Sequence, residues 1–340
     1  MTICPRAAFV ISREPPNEAT LVGSASRRPA ARRIRPVPRL TAIVPATNSP
    51  PTLLACLEAI RNADDPPEEL IVATEGVGPA AARNDGARQA SGDVLVFVDA
   101  DVLPHHDAFA RVRRAFDLDP ELVALFGSYD DSPAAPGVVS AFRNLLHHFV
   151  HQEGAGPVPT FWAGLGAIRR DSFLDVGGFD ADRYSVPSIE DIELGTRLAA
   201  DCALVVLDPH LQGTHLKHWS LWEMVRTDFR RRAIPWVELM LHRRQASSTL
   251  NLGVRHRLSA LASMVAAIAL MRRRMRFASG AMLILVALNA RFYVLLARRR
   301  GLRMAVIGVG LHALHHLIAV AAVPAGIIAH LLGRRSRRGL

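Results

Sequence analysis

Lysine is nearly missing from this chain: Lys217 stands alone against a large excess of arginine. Acidic side chains are missing altogether from residues 241–340, which hold 17 Arg and not one Asp or Glu. A soluble helical domain needs charges of both signs on its surface, so this inventory argues against one there and for attachment to a membrane. Cysteine is scarce as well. Cys4, Cys56 and Cys202 are odd in number and show no CxxC spacing, which excludes a disulfide framework and a cysteine zinc site. A reducing, cytosolic setting is expected. The start of the chain lacks a secretory pattern, because Ala7–Ile11 is short and Arg13-Glu14-Pro15-Pro16 follows at once. No internal repeat is visible.

The net charge of +10 hides an acidic middle between basic ends. Residues 1–40 carry eight Arg and two Glu, and residues 41–240 carry 16 Lys/Arg and 29 Asp/Glu. The basic excess flanks apolar runs and does not interleave with aromatics on a compact domain. No nucleic acid partner is therefore expected, and anionic lipid headgroups are the better match. The expected organisation is a disordered basic arm over 1–38, a catalytic domain over 39–240 and a membrane-associated helical region over 241–340.

Hydrophobic periodicity predicts strands over Leu40–Val44, Leu70–Val72 and Asp93–Val98, alternating with helices over Thr52–Arg61 and Ala80–Ala90. A helix over Asp107–Asp117, a strand over Leu122–Phe126 and a helix over Val138–Gln152 follow. Then come a strand over Phe161–Ile168, a helix over Ile189–Ala200 and a strand over Ala203–Leu207. The alternation predicts a doubly wound, mostly parallel α/β sheet with helices on both faces. Ligands of such sheets bind at the carboxyl ends of the strands. Trp219–Leu241 is expected to be helical, with a kink at Pro235. Three apolar stretches follow, Leu258–Met271, Phe277–Ala297 with Arg291 inside, and Met304–Gly333. Arg clusters at 272–276, 298–303 and 334–338 flank them, and which of them cross a bilayer is left open by charge.

Two features carry chemistry. Asp99 and Asp101 stand just past a buried strand, where both can face one divalent cation and a diphosphate; a solvated turn is the plain alternative. Glu190, Asp191 and Glu193 crowd the start of a helix, whose dipole tolerates them. One of these carboxylates is a candidate general base toward an acceptor hydroxyl. His147, His148 and His151 share overlapping helix faces and are expected at a polar surface or lining an acceptor. His312, His315 and His316 sit inside the last apolar stretch.

Thr41-Ala42-Ile43-Val44-Pro45-Ala46, Ala81-Ala82-Arg83-Asn84-Asp85-Gly86-Ala87, Asp99-Ala100-Asp101, Gly164-Leu165-Gly166-Ala167-Ile168-Arg169-Arg170, Gly177-Gly178-Phe179-Asp180 and Glu190-Asp191 occur in one order. That order resembles family-2 glycosyltransferases of GT-A type fold over roughly residues 40–240. With the C-terminal apolar region, the chain is similar to bacterial members that build exopolysaccharide or glycolipid.

The resemblance implies inverting transfer from a nucleotide diphosphate sugar, with Mg2+ or Mn2+, to a lipid-linked or surface-glycan acceptor. The setting it implies is the cytosolic face of the inner membrane. It implies Asp99 at the nucleoside and Asp101 at the metal, with Pro45, Ala46 and Arg83 lining the nucleotide pocket and Asp93 ordering it. Asp191 would be the base, with Glu190 beside it. His215 would complete the metal site, with His218 as its rival. Trp236, Trp162 and Gly164 would lie on the acceptor side. The family's acidic pair after the second strand is replaced by Ala73-Thr74-Glu75-Gly76, where Glu75 is the substitute. Two other readings are a nucleotidyltransferase, which lacks its usual glycine-rich loop here, and a catalytically silent membrane scaffold.

Overall fold

The computed structural model describes residues 36–47, 49–243 and 253–338. The basic arm lies outside the described residues up to residue 35. An eight-stranded sheet organises residues 40–215 in the order β2-β1-β3-β7-β5-β8-β4, with β6 paired to β8. The strands are β1 (Leu40–Pro45), β2 (Glu69–Ala73), β3 (Val94–Val98), β4 (Val102–Pro104), β5 (Leu122–Tyr129), β6 (Gly156–Pro157), β7 (Leu165–Arg169) and β8 (Leu204–His215). The β2, β1, β3, β5 and β8 strands share one direction, while β7, β4 and β6 run against them. The sheet is thus mixed, with the expected parallel block at its amino-terminal half.

Strand alternation sorts the core into two layers. Val94, Val96 and Val98 of β3 face one layer together with Leu40, Ala42 and Val44 of β1. Helices α1 (Leu53–Arg61) and α3 (Ala108–Leu118) cover it through Leu57, Ile60, Phe109 and Phe116. Leu95 and Phe97 face the other layer, beneath α2 (Gly78–Gln89) and α6 (Glu190–Ala200). There the rings of Phe97, Phe173 and Phe179 stand 5.3 Å apart pairwise. Such ring pairs contribute about 0.5–1.5 kcal/mol each beyond area burial. Phe173 belongs to a short helix, α5 (Arg170–Asp175), that strand periodicity does not announce.

Helix α4 (Val138–Glu153) packs one face on β5 and lends Phe142, Leu145 and Phe149 to a third cluster with the C-terminal helices. The segment expected as one kinked helix is α7 (Leu221–Arg226), a π-helix (Thr227–Ala233) and α8 (Ile234–Arg243). The wider π turn falls just before Pro235, where the missing N–H and ring clash would break an α-helix. Ser220 and Glu223 form a capping box at the start of α7.

Beyond residue 253 lie α9 (Val254–Met271), α10 (Met275–Leu288), α11 (Ala290–Arg300) and α12 (Leu302–Arg338). The α9 and α12 helices are long and apolar enough to cross a membrane. The stretch expected as one helix over Phe277–Ala297 is bent by 76° between α10 and α11. Asn289 stands at the break and donates to Ser259 Oγ and to the Leu285 carbonyl, while Arg291 meets Glu153 at 2.9 Å. The polar anchor and the ion pair give the bend its cause.

Candidate active site

The carboxyl ends of β2, β1 and β3 lie side by side, which brings Glu75, Ala46 and Asp99 to one edge of the sheet. Ala46 donates its N–H to the Ala73 carbonyl at 2.8 Å and is buried, with Pro45 beside it. Glu75 is exposed on the loop after β2. Asp93 is not part of this edge. It precedes β3 at the opposite end, accepting the Arg39 N–H at 2.9 Å. A strand advances about 3.3 Å per residue, so Asp93 stands roughly 20 Å from Asp99 and cannot order a nucleotide there. Its work is to tie the start of β1 to that of β3.

Past β3 the chain turns, with the Asp99 N–H donating to the Gly164 carbonyl at 3.0 Å. The Trp162 ring occupies the space a Cβ at Gly164 would need, 2.3 Å away. Beneath the turn, the Cys56 thiol faces the Asp99 carbonyl at 3.6 Å, and burial plus the nearby Asp99 and Asp101 charges push it up to about 12.

Arg83 of α2 is buried and divides its guanidinium between two carboxylates. One nitrogen donates to Asp99 at 2.5 Å and the other to Glu190 at 3.1 Å. The second Glu190 oxygen accepts the Ser188 N–H at 2.8 Å. Burial raises Asp99 above the usual carboxyl range, and the Asp101 and Glu190 charges add to this against the pull of Arg83. Asp191 follows at the first turn of α6, accepting N–H bonds from Ala163 at 3.2 Å and Ile192 at 2.8 Å. Burial first, then the adjacent Glu190 charge, push Asp191 up to about 7, the range of a working general base. The helix can sit this close because Gly195 lets it. A Cβ there would come within 2.2 Å of the Phe161 nitrogen.

On the other side of the turn, β4 pairs with β8 so that Val102 lies opposite His215. His215 Nε2 stands 3.8 Å from Asp101 Oδ2. Burial opposes the Asp101 charge, but His215 and Lys217 outweigh it and hold the carboxyl below its ordinary range. His215, and not His218, faces the aspartate; His218 is exposed. Lys217 rests 4.5 Å over the Trp219 ring.

Tyr129, at the end of β5, stacks on His215 with ring centroids 4.1 Å apart and 10° between planes. Trp162 and His147 close on the same tyrosine at 5.0 and 4.1 Å. Of the three histidines of α4, His151 is buried and His147 and His148 are half-buried. His148 and His151 bond the Tyr129 and Gly127 carbonyls at 2.9 and 2.8 Å, and burial keeps His151 neutral, down to about 4. The rings of His147 and His151 stand 3.9 Å apart and both face Trp162. Tyr129 was absent from the sequence-derived candidates, although its place at a strand's carboxyl end is the signal that finds it.

Trp236 packs with Tyr184, Ile189 and Leu239, directly under the entry to α6. Arg230 and Arg232 are exposed. Arg231 uses its carbonyl to accept the Ser188 hydroxyl at 2.7 Å, which ties the π-helix to the loop before Glu190.

Among the described residues no group of three or more His, Cys, Asp or Glu gathers as a metal site. Asp101 and His215 offer two ligands. That donor set suits a cation whose remaining ligands are diphosphate oxygens and water, the usual way Mg2+ is held beside phosphates.

The family model described as Glycosyl transferase family 2 matches residues 70–177, a span that includes Arg83, Asp99, Asp101, Trp162 and Gly164. No curated protein matches the chain. Among solved structures it is similar to the mannosyltransferase PcManGT from Pyrobaculum calidifontis in complex with GDP-Man and Mn2+. The identity is 18%, covering 86% of this chain and 87% of that one, with a TM-score of 0.48. It is also similar to S. aureus TarS 1-349, at 15% identity over 83% of this chain and 90% of that one, TM-score 0.42. Residues 70–177 are thus similar to glycosyl transferase family 2, and the mixed sheet with helices on both faces carries that span.

Proposed function

We propose that the chain moves a sugar, with inversion at the anomeric carbon, from a nucleotide diphosphate sugar to a lipid-linked or surface-glycan acceptor. The setting is the cytosolic face of the inner membrane. The observation that carries this reading is the Arg83 bridge between Asp99 and Glu190, next to an Asp191 held near neutrality. It joins the expected donor side of the site to the expected acceptor side in one buried ion network.

Ala46, Pro45 and Glu75 line the donor's nucleoside, and Asp99 receives it with its geometry fixed by Arg83. Asp101 and His215 would hold Mg2+ or Mn2+, which stabilises negative charge on the departing diphosphate when bound. Asp191 takes the acceptor hydroxyl proton as that oxygen attacks from the face opposite the leaving group. The Ala163 and Ile192 N–H groups keep its carboxylate aimed, and Glu190 raises its basicity. Trp162 and Trp236 give the acceptor sugar apolar faces to rest on. Tyr129 holds His215 in orientation by stacking. A catalytic domain over residues 39–240 performs these steps, and residues 241–340 keep it at the bilayer, where a lipid acceptor reaches high effective concentration.

The test is release of nucleoside diphosphate by purified protein supplied with candidate nucleotide sugars and Mg2+ or Mn2+, with the product's anomeric configuration read by NMR. Metal-dependent release with an inverted product supports the reading. Release of pyrophosphate would point to nucleotidyl transfer, and no metal-dependent nucleotide binding at all would point to a silent scaffold.

A further inference from the structure

Helix α12 has the length and composition of a membrane span, but its packing follows another path. Near its start, Gly308 lies against Leu296 and Phe142, where a Cβ would come within 2.3 Å of the Leu296 side chain. Midway, His315 Nδ1 stands 3.0 Å from Asp228 Oδ2, and Arg143 of α4 meets the other oxygen of that buried aspartate at 2.6 Å. Further on, a Cβ at Gly326 would come within 2.6 Å of Val237. Residues 308 to 326 cover roughly 27 Å of helix at 1.5 Å per residue. Their partners in order are α11 together with α4, the π-helix and α8.

Of those partners, α4 and the π-helix lie within residues 39–240, and α8 packs on that domain. Arg243 at the end of α8 binds Glu193 of α6 at 2.9 Å, and Trp236 and Leu239 pack on Tyr184 and Ile189. So α12 lies flat on the domain over a length close to the whole hydrocarbon thickness of about 30 Å. If α12 crossed the bilayer, this layer would cross with it. Arg226, Arg230 and Arg232, all exposed, would then stand at hydrocarbon depth, where charged side chains are strongly disfavoured.

The opposite face of α12 is apolar and uncovered, with Val306, Ile307, Val323, Ile327, Ile328 and Leu331 exposed. Beside it, Trp222, Val225, Arg226, Phe229 and Arg230 line a cavity of about 330 Å³ on the outer face of α7 and the π-helix. Aromatic rings with guanidinium groups are what settles at headgroup level. Residues 241–340 hold 17 Arg and no acid; Arg243, Arg255, Arg291 and Arg299 pair with carboxylates of the domain.

We propose that α12 is an in-plane anchor: its outer face lies within one leaflet, and the chain ends on the same side of the membrane as its catalytic domain. The proposal does not depend on the transfer reaction, so a failed activity assay leaves it standing and the reverse holds too.

The test uses the full chain with an epitope tag after Leu340, in sealed membrane vesicles of each orientation treated with external protease. The tag and the catalytic domain should be cut together in one orientation and protected together in the other. A tag protected in the vesicles whose catalytic domain is cut would overturn the proposal. So would release of the chain from membranes by alkaline carbonate, since a helix inserted in a leaflet stays behind.

Discussion

Arg83 and Glu190 stand 107 residues apart in sequence and meet at 3.1 Å in the buried wall of the site, with Asp99 on the other guanidinium nitrogen. The contact fixes α2, the turn after β3 and the start of α6 relative to one another. Removing one partner of a buried pair leaves an uncompensated charge, which costs about 3–5 kcal/mol. Arg83→Ala should therefore lower the urea midpoint markedly and reduce transfer as well. Arg83→Lys, which keeps the charge but loses the fork, should recover part of the stability and little of the activity. Equal midpoints for Arg83→Ala and the parent would remove the bridge from the account.

The position of Asp191 predicts a pH profile. As a base with a pKa near 7, it is active when deprotonated, so transfer should fall about tenfold per pH unit below neutrality. The same shift has an opposite consequence for stability. The folded state holds this proton more tightly than the unfolded chain, so its contribution is fully present at acid pH and is lost as pH rises toward 7. Asp191→Asn mimics the protonated form. Its melting temperature should exceed that of the parent at pH 8 and match it near pH 4.

His215→Ala removes one of the two ligands offered to a cation and leaves Asp101 without its neighbour at 3.8 Å. The metal concentration giving half-maximal activity should rise by roughly ten- to a hundredfold, the size of effect seen when a metal site loses a supporting group. His218→Ala should leave it unchanged. A titration of activity with Mn2+ separates the two.

Gly195→Ala tests the closeness of α6 to the Phe161 backbone, where a Cβ would stand 2.2 Å from nitrogen. Backbone cannot yield as a side chain can, so the helix must shift. A loss of about 1–3 kcal/mol, typical of overpacking, is expected in denaturant unfolding. Moving α6 also moves Asp191, so transfer should drop even in the folded fraction.

Much of this fold was legible in the sequence because buried strands such as Val94–Val98 are uninterrupted apolar runs and the helices between them repeat with helical spacing. Asp99 and Asp101 were legible for the same reason, since the end of a strand is a place that sequence marks. The Arg83–Glu190 contact was not, because nothing local records a meeting across 107 residues. Asp93 misled because its acidic side chain adjoins the right strand at the wrong end. Of the two places expected for His147, His148 and His151, a polar surface or an acceptor lining, the first does not hold for the buried His151, because the Gly127 carbonyl that bonds it lies in another element. The 76° bend at Asn289 hid inside an apolar run, where one buried amide decides the path.

Single-turnover transfer by Asp191→Asn, with donor affinity measured on the same preparation, tests the central claim most directly. Donor and metal should bind as they do in the parent, while the rate of sugar transfer falls at least a hundredfold, the lower end of what a general base supplies. Transfer at the parent's rate would mean that the proton leaves by another route, and the assignment of Asp191 would be wrong.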